Sequence, residues 1–285
     1  MPHETLVDVP TLAARLHDPD WLAIDCRFQL ADPSAGARAH AEATIVGSVH
    51  AHLDHDLSGP VIPGQTGRHP LPTREAFAAT LGRWGVTAGT QIIAFDDMGG
   101  AFASRLWWMM RWLGHRAAAV LDGGIQAWSA AGQPLAAGDC SRSPTTFTPG
   151  PSLVGSVDAH AVLATLDDPT VVLLDARATP RFTGEQEGTD PVAGHIAGAR
   201  SAPFMGNLGP DGRMLASEQL AIRFAERLDG AASDRAIVYC GSGVTACHDL
   251  LAMMHAGLPV ARLYPGSWSE WITDPSRPRA TGDES

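Results

Sequence analysis

The sequence repeats itself once, and this repeat restricts the possible folds more than any other feature of the chain. In each half, a short apolar strand ends in Asp-x-Arg, as WLAIDCR at 21–27 and as VVLLDAR at 171–177. Each half continues with a polar loop, a helix, a second apolar strand, another helix and a last strand that precedes a glycine turn. Strands that alternate with helices in this way form parallel sheets with helices on both faces. The sequence therefore predicts an α/β protein with two similar domains.

The repeat also sets the expected domain limits. We expect one domain at 1–135 and the other at 153–278, joined by a linker at 136–152 and followed by a tail at 279–285. The linker is rich in Pro, Gly, Ser and Thr, which is typical of a loop. The 285 residues, 45% of them hydrophobic, are enough for a core in each domain.

The acidic composition bears on the partners of the protein. The net charge is −11 and the 20 Lys and Arg residues form no run, which argues against a nucleic-acid or anionic-membrane partner. The first residues lack a basic segment followed by an apolar one, and no apolar run approaches the ~20 residues of a membrane span. We therefore expect a cytoplasmic protein that acts on a small diffusible substrate.

The four cysteines are Cys26, Cys140, Cys240 and Cys247, and their spacing matches no zinc-binding pattern. A chain of this length does not need disulfides for stability. We expect reduced thiols, no metal and no other cofactor. Cys247 falls on a predicted helix and is expected to pack there.

Cys240 lies where the predicted strand AIVY ends and a glycine-rich turn leads into a helix. The carboxyl ends of parallel strands are the usual ligand sites of such sheets. Glycines in the turn allow successive N–H groups to point towards the sulfur, and the helix directs the positive end of its dipole at the same place. Both effects stabilise a thiolate over a thiol. The equivalent residue of the first half is Asp96, so we expect one nucleophile, in the second domain only.

Four segments of the second half carry a family resemblance: DARATPRF at 175–182, GHIAGA at 194–199, CGSGVT at 240–245 and GSWSEW at 266–271. Together with the first-half repeat, they resemble the tandem-domain rhodanese-like sulfurtransferases over nearly the whole chain. The resemblance implies two rhodanese-like domains, of which the first is catalytically inactive. It also implies that Cys240 accepts a sulfane sulfur from a small donor as a persulfide and passes it on, with cyanide, a small thiol and thioredoxin as candidate acceptors.

The resemblance assigns roles to single residues. Cys240 and Ser242 are the catalytic candidates, because the Ser242 hydroxyl can donate to a carbonyl or a departing enolate. The candidates for donor binding are Arg181, Gly241, Gly243, Val244 and Thr245. Because the loop itself carries no charge, an anionic donor would depend on the Arg181 guanidinium.

Two branches of the family differ in their donor. Thiosulfate sulfurtransferases carry Arg and Lys at the second and third loop positions, where this chain has Gly241 and Ser242. Members that use 3-mercaptopyruvate resemble the CGSGVT loop and bind the donor with two arginines. The first of these matches Arg181, and the second falls on Asp190. We predict 3-mercaptopyruvate as the donor, with thiosulfate as the alternative.

A histidine that the family directs at the loop serine falls on Thr44 of this chain. His50, His52 and His55 follow closely, and the sequence alone does not say whether one of them reaches the site.

Two other functions would also use a cysteine at a strand end. Some phosphatases of this fold need Cys-x5-Arg, but the position of that arginine is occupied by Ala246. A non-catalytic persulfide carrier or redox sensor would also use Cys240 and is the other alternative. The prominent residues expected to be structural are Arg27, Arg177, His195, Trp107, Trp108 and Trp112.

Overall fold

The computed structural model describes residues 1–138 and 142–283, so Cys140 lies outside the described residues. The chain forms two compact units. Unit 1 comprises residues 1–59, 71–153 and 210–214, and unit 2 comprises residues 60–70, 154–209 and 215–285.

Unit 1 begins with a short strand and then alternates helices and strands. Its described elements are β1 (Leu6–Val7), α1 (Val9–Ala13), β2 (Trp21–Asp25), α2 (Ala35–Glu42), β3 (Thr44–Ile45), β4 (Val49–His50), α3 (Arg74–Arg83), β5 (Gln91–Phe95), α4 (Ala103–Trp112), β6 (Ala118–Leu121), α5 (Gly124–Ala130) and β7 (Leu135–Ala136). Five of these strands form a parallel sheet in the order β1-β6-β5-β2-β4. An antiparallel pair joins β3 to β7.

Unit 2 repeats this order from its first helix onwards. Its described elements are α6 (Ala159–Leu163), β8 (Val172–Asp175), α7 (Thr179–Thr183), β9 (His195–Ile196), β10 (Arg200–Ser201), α8 (Ser217–Leu228), β11 (Ala236–Tyr239), α9 (Ala246–His255), β12 (Arg262–Leu263), α10 (Ser267–Trp271) and β13 (Arg279–Ala280), with 3-10 turns at Phe204–Asn207 and Ser233–Arg235. The parallel sheet has the order β10-β8-β11-β12, and β9 pairs with β13 in antiparallel fashion. The predicted α/β fold with two similar parallel sheets is confirmed.

The strands are buried on both faces because helices cover both. Side chains alternate along a strand, so neighbours point to opposite faces. In β5, Ile93 and Phe95 pack with Trp128 of α5, whereas Ile92 and Ala94 are buried on the other face, where α4 contacts the strand. In unit 2, residues of β11 pack in the same way against α10.

Equivalent aspartates start the first helix of each unit. The Asp8 carboxylate accepts the N–H of Thr11 at 2.9 Å, and the Asp158 carboxylate accepts the N–H of Ala161 at 2.8 Å. A side-chain oxygen at this position satisfies one of the N–H groups that a helix leaves free at its beginning. The helix start is therefore fixed locally in both repeats.

The two Asp-x-Arg motifs make the same ion pair. Arg27 donates to Asp25 at 2.6 Å, and Arg177 donates to Asp175 at 2.6 Å. Each guanidinium also donates to a backbone carbonyl further along its own repeat. These contacts confirm the structural role that the repeat predicted for the two arginines.

His195 and the tryptophans of α4 are also structural. His195 is fully buried, its Nδ1 lies 2.8 Å from the carbonyl oxygen of Phe182, and its ring stacks on the Phe182 ring. Trp107 and Trp108 are fully buried, and Trp112 stacks beside Trp108. The packing roles expected for these residues are confirmed.

Each unit includes a short segment from far along the chain. The first exchanged segment, residues 60–70, belongs to unit 2, and the second exchanged segment, residues 210–214, belongs to unit 1. The expected domains, 1–135 and 153–278, are continuous in sequence, whereas the compact units exchange these two segments.

The exchanged segments lie against equivalent glycine turns. In unit 2, Gly67 of the first exchanged segment is so close to Gly266 that a Cβ atom at Gly67 would overlap the Gly266 carbonyl oxygen. In unit 1, a Cβ atom at Gly123 would lie 3.1 Å from Cγ of Arg213 in the second exchanged segment. Met214 of that segment also donates its N–H to the Asp122 carboxylate at 2.8 Å.

Parts of the expected linker and tail are also paired. In β7, Ala136 pairs with Thr44, and in β13, Arg279 pairs with Ile196.

Within residues 1–138 and 142–283, no helix is long and apolar enough to cross a bilayer.

Candidate active site

Cys240 directly follows β11, at the carboxyl end of a central strand of the unit 2 sheet. Its side chain is buried, and the whole residue is 2% exposed. The N–H of Gly243 donates to the Cys240 Sγ at 3.2 Å. Gly243 has a φ of +76°, and a Cβ atom there would overlap the carbonyl oxygen of Pro265. Only glycine can therefore bring this N–H to the sulfur.

The turn that begins α10 fixes the backbone of the cysteine loop. The Cys240 N–H donates to Ser267 Oγ at 3.0 Å, and the Trp268 N–H donates to the Cys240 carbonyl oxygen at 3.0 Å. The Ser269 N–H donates to the carbonyl oxygen of Gly241 at 2.9 Å. Three hydrogen bonds thus join the two loops across the sheet edge.

Ser267 has an unusual backbone conformation, with a φ of +56°. The equivalent residue of unit 1 is Gly124, whose φ is +58°. A non-glycine residue in the left-handed region is uncommon and costs free energy, and active sites are one of the places where such residues cluster. In unit 2 the serine supplies the hydroxyl that accepts the Cys240 N–H and donates to the carbonyl oxygen of Tyr264 at 2.9 Å.

Ser242 forms a hydrogen bond with a histidine that the sequence did not single out. Ser242 Oγ lies 2.7 Å from Nδ1 of His69, which belongs to the first exchanged segment, and both residues are buried. The histidines that follow Thr44 lie elsewhere: His50, His52 and His55 belong to unit 1, where their rings contact one another. Ser242 is thus held by a group 173 positions away in the sequence.

Arg181 lies beside the loop and is held by two carboxylates. Its Nε and Nη2 donate to Glu187 at 2.9 to 3.2 Å, and its Nη2 also donates to Asp190 at 2.8 Å. Arg68 of the first exchanged segment forms a second ion pair with Asp190. Asp190 therefore takes the place of the second arginine of the family, but it accepts from two arginines of this chain.

The Glu187 carboxylate is ionised in this network. Its burial raises the pKa, but the N–H groups of Asp190 and Thr189 and the guanidinium of Arg181 outweigh this effect and hold the pKa of Glu187 below its usual value. A charged Glu187 fixes the Arg181 side chain through two pairs of contacts.

The other loop residues lead into the helix. Val244 is buried, and Thr245 is the residue before α9. Cys247 lies in the first turn of α9, is fully buried and donates its thiol hydrogen to the Gly243 carbonyl oxygen at 3.4 Å. The described cysteines, Cys26, Cys240 and Cys247, are free thiols.

The equivalent loop of unit 1 is closed by the Asp96 carboxylate. This side chain is buried and accepts four backbone N–H groups at 2.8 to 2.9 Å. The donors are Met98, Gly100, Phe102 and Ala103. The carboxylate therefore fills its own loop with an anion, and unit 1 presents no nucleophile there.

The fold and this site define a class of protein: a duplicated α/β protein with one cysteine at the end of a strand, where a loop N–H group binds its sulfur. The family model of the rhodanese-like domain matches the chain twice, at residues 8–131 and 158–274. The chain belongs to the rhodanese-like domain family.

Its relatives carry names that indicate sulfur transfer. The chain is 53% identical over 279 residues to a Pseudomonas aeruginosa protein described as "Probable 3-mercaptopyruvate sulfurtransferase", covering 98% of each chain. It is 36% identical over 210 residues to the thiosulfate sulfurtransferase of Bos taurus, covering 71% of this chain and 69% of the other. Its structure is similar to that of the 3-mercaptopyruvate sulfurtransferase from Leishmania major, with a TM-score of 0.82, 31% identity, and coverage of 95% and 75%.

Proposed function

We propose that this protein is a sulfurtransferase that takes a sulfur atom from 3-mercaptopyruvate onto Cys240 and passes it to a thiol or to cyanide. The main support for this donor is the hydrogen bond between Ser242 and His69. Ser242 lies in the same loop as Gly243, whose N–H donates to the Cys240 sulfur. A keto acid donor releases an enolate, and a hydroxyl tied to a histidine is suited to stabilise and protonate it.

In the first half-reaction, the Cys240 thiolate attacks the sulfur of the donor. The new S–S bond forms as the C–S bond of 3-mercaptopyruvate breaks, and the bonding electron pair stays on carbon as the enolate of pyruvate. The enolate takes one proton through the Ser242 hydroxyl, which contacts His69, and becomes pyruvate, while Cys240 holds the outer sulfur with its hydrogen as a persulfide. The N–H of Gly243, which donates to the thiol sulfur, is placed to stabilise negative charge at this point.

In the second half-reaction, an acceptor thiolate or cyanide attacks the outer sulfur. The S–S bond breaks, its electron pair returns to Cys240, and the cysteine is again a thiolate. This two-step covalent route needs no metal or redox cofactor. Among protein acceptors, thioredoxin fits because it presents a nucleophilic thiol.

Unit 1 is proposed to be catalytically silent, with domain limits near 1–135 and 153–278. Asp96 supports this, because its carboxylate already accepts the loop N–H groups and would repel an anionic donor. A cytoplasmic location remains a proposal from the sequence. The hydrogen bond between Ser242 and His69 also favours an enzyme over a non-catalytic carrier, because a carrier that holds sulfur on Cys240 has no enolate to protonate.

The donor preference can be measured directly. We expect kcat/KM for 3-mercaptopyruvate to exceed that for thiosulfate at least about tenfold, with cyanide as the common acceptor. The charges of Arg68 and Arg181 are balanced by Glu187 and Asp190, so the site suits a monoanion better than a dianion. Equal or faster turnover of thiosulfate would place the protein in the other branch of the family.

His69 is expected to act in the chemical step. His69→Asn should lower kcat with 3-mercaptopyruvate by about 100-fold while KM changes little, because a positioned acid or base contributes mainly to the transition state. His55→Asn, at an exposed histidine of unit 1, is the matched control and should leave both constants unchanged. Stopped-flow measurement of pyruvate release in a single turnover separates this step from transfer to the acceptor. An unchanged rate in His69→Asn would remove His69 from the mechanism.

A further inference from the structure

Two guanidinium groups converge on Gly241, the residue after the cysteine. A Cβ atom at Gly241 would lie 2.9 Å from Nη2 of Arg68 and 3.6 Å from Nη1 of Arg181. The absence of a side chain at Gly241 therefore lets both guanidinium groups lie against the loop that holds the nucleophile. Their side chains are 29% and 25% exposed, so solvent and solutes reach them.

The Asp190 carboxylate binds the guanidinium groups of both Arg68 and Arg181. Its side chain is 2% exposed, and one carboxylate oxygen accepts from Nη1 of Arg68 while the other accepts from Nη2 of Arg181. Each arginine thus binds Asp190 through one terminal nitrogen while its guanidinium group lies beside Gly241. The N–H of Arg68 is also fixed, because it donates to Ser269 Oγ at 3.1 Å. The Nε of Arg68 is buried and has no hydrogen-bond partner among the described residues.

We infer that Arg68 is a donor-binding and specificity-determining residue, and that its Nη2 and the Nη1 of Arg181 together bind the carboxylate of the donor. This inference rests on the proposed function for the identity of the donor. Both nitrogens lie beside the residue that follows the nucleophile, and a carboxylate offers two oxygens that can accept from them.

The sequence context explains why the cation comes from position 68. Asp190 stands where the family has its second arginine, and Gly241 and Ser242 stand where the thiosulfate branch has its cations. A long side chain at Gly241 would collide with the Arg68 guanidinium. The first exchanged segment therefore supplies a charge that neither the loop nor the segment after α7 supplies.

Steady-state kinetics with 3-mercaptopyruvate test this role. Arg68→Gln removes the charge, and we expect KM to rise about ten- to a hundredfold while kcat changes less than about threefold. Arg68→Lys restores the charge but not the fork that reaches Asp190 and Gly241 together, so its KM should lie between those of Arg68→Gln and the wild type. Arg235→Gln removes an exposed arginine that pairs with Asp168 in the same unit, and it should leave KM unchanged. A KM for Arg68→Gln within twofold of the wild type would overturn the inference.

Alkylation of Cys240 tests the same charge without turnover. Iodoacetate carries a carboxylate and iodoacetamide does not, so the ratio of their rates at Cys240 reports the cations beside the sulfur. We expect this ratio, measured by mass spectrometry, to fall at least about fivefold in Arg68→Gln and to recover in Arg68→Lys, which a folding defect would not do. An unchanged ratio in Arg68→Gln would contradict the inference.

The two tests separate the possible failures. A wild-type protein that transfers no sulfur from 3-mercaptopyruvate would overturn the proposed function, whereas a fall of the alkylation ratio in Arg68→Gln would still support an anion-binding role for Arg68. Normal turnover with no effect of Arg68→Gln in either test would overturn only the role of Arg68.

Discussion

Cys240→Ser is expected to lower sulfur transfer at least about 1000-fold, because a serine hydroxyl at neutral pH is a far poorer nucleophile than a thiolate. The exchange is nearly isosteric, and the serine hydroxyl can still accept from the N–H of Gly243. The fold should therefore be unchanged, which circular dichroism and the melting temperature will show. Pyruvate release from 3-mercaptopyruvate and the mass of the protein after exposure to the donor measure the loss.

The other cysteines serve as controls for this prediction. Cys247→Ser should keep most of the activity, since Cys247 is buried in α9 and donates to a backbone carbonyl. Burial raises the pKa of Cys26, and the carboxylates of Asp96 and Asp25 raise it further, so this thiol should take up no sulfur. A one-sulfur adduct on Cys26, or more than a small fraction of activity in Cys240→Ser, would contradict a single nucleophile.

Asp96→Ala is expected to destabilise unit 1 by at least about 3 kcal/mol, because four backbone N–H groups lose their acceptor and each buried unpaired donor costs about 1–3 kcal/mol. Urea denaturation gives the change in the free energy of unfolding. Hydrogen exchange of the amides at 98–103 shows whether the loss is local to this loop.

Two further variants are controls for Asp96→Ala. Asp96→Asn keeps the size of the side chain and one oxygen acceptor, so its effect should be smaller than that of Asp96→Ala. Asp97→Ala removes the adjacent carboxylate, which accepts none of these four N–H groups, and should cost less than about 1 kcal/mol. Unprotected amides at 98–103 in the wild type, or equal stability of Asp96→Ala and the wild type, would show that the carboxylate does not hold the loop.

The fold was predictable because local patterns and tertiary structure agree. The apolar run QIIAF is the strand Gln91–Phe95, and the segment that begins at Ser217 forms a helix to Leu228. The paired Asp-x-Arg motifs correctly indicated that both halves build the same sheet edge, since Asp25 and Asp175 end equivalent strands and bind equivalent arginines. Patterns of this kind lie within a few residues of one another, where sequence spacing determines geometry.

The polar partners of the site were less predictable. His69 and Arg68 lie in a loop without periodicity, and their contacts reach Ser242 and Asp190 across 173 and 122 positions. In the sequence, Asp190 only marks the absence of an arginine that the family has at this position. Its pairing with Arg68 is not predictable, because no local pattern connects the two residues. A signal was nevertheless present. The segments GQTGRH and GPDGRM precede the third helical stretch of each repeat and share Gly-Arg, which marks them as equivalent.

The exchange of these two segments makes the halves of the chain mutually dependent. Between separate chains, the same reciprocal exchange of an identical element would be domain swapping. A fragment that begins at residue 153 would retain Cys240 and Arg181 but lose His69, the partner of Ser242, and the Arg68 guanidinium beside Gly241. Its own Arg213 and Met214 would have no glycine turn to pack on. Each half of the duplicated sequence is therefore incomplete by itself, because removal of either half also removes a segment that belongs to the compact unit of the other.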